Sequence, residues 1–284
     1  MKKEIKVSLA IAIGIVPILA LEKPISKLLI IVLSDEQITE QIASIASRLV
    51  LACLLYYLIK KFRLLTFTGL NSWRKANNLQ AVFIAAALIL MGIIGNLNIY
   101  INAGVSLVFL FGISCFTVGV AEEFAFRGII FPLLMKSFKE SKKPIIISAI
   151  LSSLIFGLLH YLNLFHQPDN FDGITSQVIF AIATGVFFSG LMVRTENILI
   201  PCILHSLVNF SFGAARLKQE LEATAIEQTI LEENSSIEWA SLIPTALLFS
   251  FIFAGGIYMI LSSNREVILE KTEEVVIAFK TVHS

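Results

Sequence analysis

Long apolar runs separated by short charged segments set the pattern of this chain. Eight runs reach or approach the ~20 apolar residues that a membrane-spanning helix needs. They cover about 7–21, 42–59, 79–99, 105–122, 144–165, 174–193, 198–213 and 241–262. The pattern predicts an all-α, polytopic transmembrane helix bundle of about eight spans, a single membrane domain over residues 1–284. The first and seventh runs are short, and the first extends through Ile25–Leu33 if the helix survives Pro24. Pro144, Pro201 and Pro244 each fall in the first turn of a predicted span, where proline is tolerated. The stretch from His166 to Gly173 is rich in Pro, Asp, Asn and Gly and reads as a loop.

Basic residues alternate with the runs and set the orientation. Lys2, Lys3 and Lys6 precede the first span, and Lys60, Lys61, Arg63, Arg74 and Lys75 follow the second. Lys136, Lys139, Lys142 and Lys143 follow the fourth, Arg194 the sixth, and Arg265, Lys271 and Lys280 the eighth. Sixteen basic residues thus fall on one side, against Lys23, Lys27, Arg216 and Lys218 on the other. Both termini are expected in the cytoplasm. The motif-bearing core covers about 105–213. An extracytoplasmic connection with six glutamates follows at 214–239, and a mixed cytoplasmic tail at 264–284. The first run resembles a signal peptide, yet Leu21-Glu22-Lys23 makes a poor cleavage site, so a signal anchor is expected. Cleavage would leave seven spans and an external N-terminus.

Composition agrees. Hydrophobic residues make up 56% of the 284 and charged residues 15%, with a mean hydropathy of +0.83. A soluble domain carries about a quarter charged residues. The net charge of +1 gives no reason to expect nucleic acid. The expected surroundings are a lipid bilayer, and a compact chain with this charge pattern and no organelle signal suggests a bacterial plasma membrane. Cys53, Cys115 and Cys202 lie in apolar runs at spacings that match no metal motif, so they read as core residues.

Against this background one hexapeptide stands out: Glu122-Glu123-Phe124-Ala125-Phe126-Arg127. Its approach from Val105 to Val120 holds no ionisable group except the Cys115 thiol. A charge at membrane depth costs ~2.5–3.5 kcal/mol even on the mildest scale, so three together call for a reason. Glu123 and Arg127 are i,i+4 with the acid first, the favoured orientation for a pair on one helix face. Glu122 lies 100° round the helix and has no sequence-local partner. The spacing therefore assigns Glu123 and Arg127 to structural support and leaves Glu122 to handle a proton. The plainer alternative is that all three are solvated anchors in the cytoplasmic headgroup zone.

Two lone histidines, His160 and His205, interrupt other apolar runs. Either one alone reads most simply as a helix-packing hydrogen bonder. His205 and Asn209 are i,i+4 and share a face, either as interhelical glue or as an imidazole and an amide that hold a developing oxyanion.

Taken in order, these pieces resemble the CPBP family of CAAX prenyl endopeptidases and bacteriocin-processing intramembrane proteases. Its first motif, two glutamates, three residues and an arginine, corresponds to Glu122, Glu123 and Arg127, followed by Gly128. Its second, phenylalanine, three residues and histidine, corresponds to Phe156 and His160; its third, to His205 and Asn209. The resemblance implies an intramembrane peptidase acting on a peptide or protein substrate. In it Glu122 activates water, His160 positions that water, and His205 with Asn209 stabilises the oxyanion. Glu123 and Arg127 hold the first motif's helix in place. Two versions stay open: a metal-free glutamate mechanism, and a zinc site built from Glu122, His160 and His205, since catalytic zinc commonly keeps three protein ligands and a water. The prenylated partner of CAAX processing is not readable from the sequence.

The predicted spans carry a conflict of depth. His160 lies sixteen residues past Pro144, ~24 Å at 1.5 Å per residue, whereas His205 lies seven past Ile198. A later start to the fifth span, tilted or kinked helices, or entry from a cavity are the expected remedies. Other classes fare worse. A rhomboid-type serine protease lacks its Gly-x-Ser-Gly, the nearest stretch being Phe187-Phe188-Ser189-Gly190. Asp35, Asp169 and Asp172 all fall in predicted loops, which disfavours an aspartyl protease. A transporter would show broken helices repeated in both halves. The main alternative is a non-catalytic immunity or scaffold protein binding a membrane peptide in the same polar cavity.

Overall fold

The computed structural model describes residues 2–33, 36–71, 82–165, 167–214, 217 and 239–273. Every regular element among them is helical. α1 (Lys3–Ala20) and α2 (Glu22–Leu33) lead into α3 (Glu36–Lys61) and a single turn, α4 (Leu65–Thr68). α5 (Val82–Gly95) and α6 (Leu97–Asn102) precede α7 (Val105–Glu123), which passes through a π-helical stretch (Phe124–Ile130) into α8 (Phe131–Ser137). α9 (Pro144–Leu159) ends in a 3₁₀ turn (His160–Phe165), and α10 (Phe171–Thr195) and α11 (Leu199–Phe212) follow. α12 (Trp239–Leu261) and α13 (Arg265–Glu273) close the described chain.

The protein is an all-α, multi-pass membrane bundle. Among the described residues five helices are long and apolar enough to cross a bilayer, or six if the bent pair ending in α13 counts as one. Helix length alone does not confirm the expected eight crossings. α5 and α11 have 14 residues each, ~21 Å at 1.5 Å per residue, short of the ~30 Å hydrocarbon core. Most of the 214–239 connection and residues 274–284 lie outside the described residues. The segment after Asn264, read as a mixed tail, begins with α13, which buries Ile268 and Thr272 and pairs Lys271 with Glu196 at 2.7 Å.

The largest departure from the predicted spans concerns the fourth. The sequence ends it near Glu122, at the membrane boundary. In the structure the helix continues unbroken from Val105 to Ser137 over 33 residues, with Glu122 midway. Every residue from Phe124 to Ile130 is buried. The helix can continue because Glu123 and Arg127 neutralise one another inside it, leaving an otherwise apolar sequence. The π-helical widening leads into Pro132, whose ring and missing N–H cannot sustain an α-helical bond to Gly128.

This long helix is the axis of the fold. α3 runs parallel to it: Ser44 Oγ meets Ser114 Oγ at 3.1 Å, and Ile59 packs on Gly128. α9 runs antiparallel, with Ser152 donating to the Phe126 carbonyl at 3.3 Å. α11 is also antiparallel, from Ile198 against Gly128 to the Phe210 ring against Phe111.

These registers settle the conflict of depth. The fifth span begins at Pro144 as predicted. α11, however, starts level with Gly128, nine residues before the end of α8, or ~14 Å inside that face. Its lead-in is buried, with Thr195 and Ile198 at 1% and 0% exposure, and the Ile198 N–H donates to the Thr68 carbonyl in α4. A sunken helix start, rather than a tilt or a late fifth span, brings His205 to the level of His160.

Candidate active site

The three motifs lie on α7, the end of α9, and α11, and their side chains meet around one cavity of about 980 Å³. Glu122, Phe156, His160, His205 and Asn209 all line it. Glu123 and Arg127 do not. They lie behind its wall, fully buried, joined by an Arg127–Glu123 hydrogen bond of 3.0 Å. The adjacent glutamates thus face opposite ways, as the helix-face argument predicts. The solvated-anchor alternative fails for Glu123 and Arg127, since neither touches solvent.

His205 joins the two glutamates. Its Nδ1–H donates to Glu123 Oε1 at 2.7 Å, and its Nε2 faces Glu122 Oε2 at 3.4 Å. Glu122 keeps 29% of its side-chain surface and His205 keeps 7%. The Phe188 ring stacks on the imidazole at 5.1 Å, and Phe156 meets it edge-on at 5.9 Å. Only Glu123 and these rings fix the imidazole, so Nε2 points at the cavity and at Glu122. Because Nδ1 carries its proton toward a carboxylate, Nε2 is free either to accept from a protonated Glu122 or, when protonated, to pair with an ionised one.

The second motif has a local logic as well. His160 follows Phe156 by one turn, and its Nδ1 lies 3.1 Å from the Phe156 carbonyl, which can only accept. Nε2 of the neutral ring is therefore left as an acceptor. The Phe156 ring itself touches His160 at 5.0 Å and lies 5.0 Å from the Arg127 guanidinium. Phe188 covers Arg127 at 5.8 Å. These ring faces supply a second favourable contact for a cation whose one hydrogen-bonded counterion is Glu123.

Residues 104–211 match the family model described as type II CAAX prenyl endopeptidase Rce1-like. The match takes in all three motifs and somewhat more than a third of the chain. This segment is similar to the core of that family. The family implies an intramembrane protease acting on a peptide in a lipid bilayer. No curated protein and no solved structure matches the chain.

A zinc site here would draw on the three motif side chains at the cavity. Glu122, His160 and His205 share the cavity, but among the described residues no three His, Cys, Asp or Glu side chains converge as a metal-binding group. As placed, these side chains do not form a three-ligand site.

Several contributors to the site carry no sequence signal that the motifs reveal. Phe188 caps His205 from α10, inside the stretch weighed as a serine-protease motif, while Ser189 is fully buried and donates to the Gly185 carbonyl at 2.9 Å. Gly119 lets α7 and α11 touch: a Cβ there would sit 2.4 Å from Ser206 Oγ and 2.9 Å from Ser206 N. Close approach through small residues is how membrane helices pack tightly. Arg48, inside the second apolar run, forms an ion pair with Glu22 and lines the cavity wall. Asp169 is exposed and Asp172 lies in the first turn of α10, while Asp35 falls outside the described residues.

Proposed function

We propose that the chain is an intramembrane endopeptidase in which Glu122 activates the attacking water. The observation that carries this reading is the opposed placement of two neighbouring glutamates. Glu123 is sealed in the core and orients His205; Glu122 is at the cavity floor, partly solvated, on the other side of the same imidazole. One carboxylate is spent on structure. The other is accessible to water and to a peptide.

The reaction then follows from the side chains. Glu122 takes a proton from a water held by His160 Nε2 as acceptor. The hydroxide attacks the carbonyl carbon of the scissile bond. The carbonyl oxygen becomes an oxyanion and accepts hydrogen bonds from the Asn209 side-chain amide and from Nε2–H of a His205 ring that carries a proton on both nitrogens, the form that pairs with ionised Glu122 in the resting site. On collapse the C–N bond breaks, and the proton on Glu122 passes to the departing amine. Each positioned proton transfer contributes ~10²–10⁴-fold, and each oxyanion donor ~10²–10³-fold. Glu123, backed by Arg127, keeps a proton on Nδ1 and so aims Nε2 at the reacting centre, the role that outer-shell carboxylates play for catalytic histidines.

The test is Glu122→Gln in the full chain, with membrane insertion checked, scored by cleavage of co-expressed membrane peptides and by cellular phenotype. Loss of both supports the peptidase. A phenotype that survives without cleavage points instead to a binding protein using the same cavity.

A further inference from the structure

The cavity is closed at one end, and the charge pattern says which face that end addresses. Below Glu122 the axis is sealed. Ala125, Ile129, Ile130, Phe131, Leu133 and Met135 are all fully buried. The cavity lining comes from the opposite halves of the bundle: the first half of α3, α7 from Phe111 to Glu122, the last turn of α9 and its 3₁₀ extension, α10 from Ser176 to Phe188, and the second half of α11. Gln167, exposed, and Gly213, where α11 ends, mark its rim. The opening therefore lies toward the Val105 end of the axis, its Gly213 rim level with Phe111, eleven residues or ~17 Å from Glu122 at 1.5 Å per residue, and the floor lies toward the Ser137 end.

The basic residues collect at the sealed end. Lys60 and Lys61 end α3, and Ile59 beside them packs on Gly128 in the sealed half. Lys136 is in the last turn of α8, and Lys139, Lys142 and Lys143 lie in the turn to α9. Lys2 reaches the same point, its Nζ donating to the Ser137 carbonyl. Short loops rich in Lys and Arg stay on the cytoplasmic side. The lining is opposite in character: among the described residues Glu22, Glu40 and Glu122 face the cavity, with Arg48 the one lysine or arginine there, itself paired with Glu22.

We infer that the cavity opens to the extracytoplasmic face and takes its substrate from there. This rests on the peptidase reading and narrows its substrate to the outward-facing segment of a membrane-anchored peptide, excluding a tail presented in the cytoplasm. A chain in an extended conformation entering from the rim descends between α3, α9 and α11 to the Glu122 level, at about 3.3 Å per residue. Roughly five residues cover the ~17 Å depth on that rise, so the scissile bond lies inside the entering segment rather than at its tip.

The experiment uses the full chain with Cys53, Cys115 and Cys202 replaced by Ala. A reporter is placed either at the rim, Gln167→Cys, or at the basic end, Lys139→Cys. Cells stripped to expose the plasma membrane are treated with a membrane-impermeant maleimide. Gln167→Cys is expected to label at least about ten-fold more than Lys139→Cys, with the ratio inverted in inside-out vesicles, as the charge rule requires. Stronger labelling of Lys139→Cys in cells, or equal labelling of the two, overturns the inference. Labelling needs no catalysis, so its outcome is separate from that of Glu122→Gln. An inward-facing cavity with retained cleavage keeps the peptidase and moves its substrate to the cytoplasm. An outward-facing cavity without cleavage keeps the opening and removes the peptidase.

Discussion

Glu123 and His205, eighty-two residues apart in the chain, share a hydrogen bond of 2.7 Å, and the carboxylate oxygen that receives it is the one that accepts from Arg127 at 3.0 Å. That single atom, Oε1, ties a structural ion pair to a residue on the cavity wall. A mutation behind the wall must therefore act in front of it.

Glu123→Ala strands a fully buried arginine and also removes the acceptor that orients His205. Breaking a buried pair by deleting one partner costs roughly 3–5 kcal/mol. A large drop in melting temperature in detergent is expected, with loss of cleavage. The double variant Glu123→Gln with Arg127→Met removes both charges and is expected to recover most of the stability, because a buried pair replaced by neutral groups of similar volume is often tolerated. Activity should not return with it, since the imidazole is no longer held by a charged acceptor. Recovery of cleavage along with stability would show that Glu123 serves the fold alone.

Asn209 separates chemistry from stability in the opposite sense. It lies on the cavity wall, one turn beyond His205, and is only partly buried. Asn209→Ala is expected to leave thermal stability close to that of the parent. Cleavage should fall by ~10²–10³-fold if the amide donates to the oxyanion. Turnover carries the loss rather than apparent substrate affinity, because the interaction forms only as the oxyanion does. Kinetics on purified protein with a cleaved peptide would check this, and a change confined to KM would remove Asn209 from the oxyanion site.

Phe156 offers a third test. Its ring touches both histidines and covers the Arg127 cation, and its carbonyl anchors His160. Phe156→Leu keeps an apolar side chain and the carbonyl but loses the ring face. A destabilisation of about 1–2 kcal/mol is expected from imperfect repacking and the lost cation–π contact. Chemical denaturation in detergent measures it. A cost near zero would mean that the ring does not help to stabilise Arg127.

How far the sequence leads depends on the range of the interaction. The Glu123–Arg127 pair and the shared face of His205 and Asn209 are legible because they are i,i+4 relations within one helix. The division of labour between Glu122 and Glu123 follows from the same geometry. The tie from Glu123 to His205 is not legible, because it crosses from α7 to α11. Nor is the extension of the fourth span to Ser137, since a window that counts charges does not know that two of them cancel inside the bundle. The sunken start of α11 is invisible for a related reason. A 14-residue apolar run reads as a weak span, and only its packing on Gly128 shows that the helix starts within the bundle. The cavity's direction needs both sources: charges give the membrane side, and burial gives the sealed end.

Gly119 tests the link between packing and chemistry. α7 and α11 meet closely there, one turn from Glu123 and opposite the turn that carries His205. A Cβ at that position would lie 2.4 Å from Ser206 Oγ, 2.9 Å from Ser206 N and 3.1 Å from the Cys202 carbonyl. The hydroxyl can rotate away, but the two backbone atoms cannot, so Gly119→Ala must spread the helices. Overpacking of this kind costs ~1–3 kcal/mol. Spreading α7 from α11 lengthens the Glu122–His205 and Glu123–His205 separations together, so cleavage should fall more than the stability loss alone explains. Adding Ser206→Ala relieves only the side-chain clash. It should therefore restore a minor part of both properties, with the backbone contacts keeping the helices apart. Thermal stability and cleavage measured side by side on the single and double variants decide the matter. Full rescue by Ser206→Ala would show that the hydroxyl, not the helix backbone, sets the distance between the two catalytic elements.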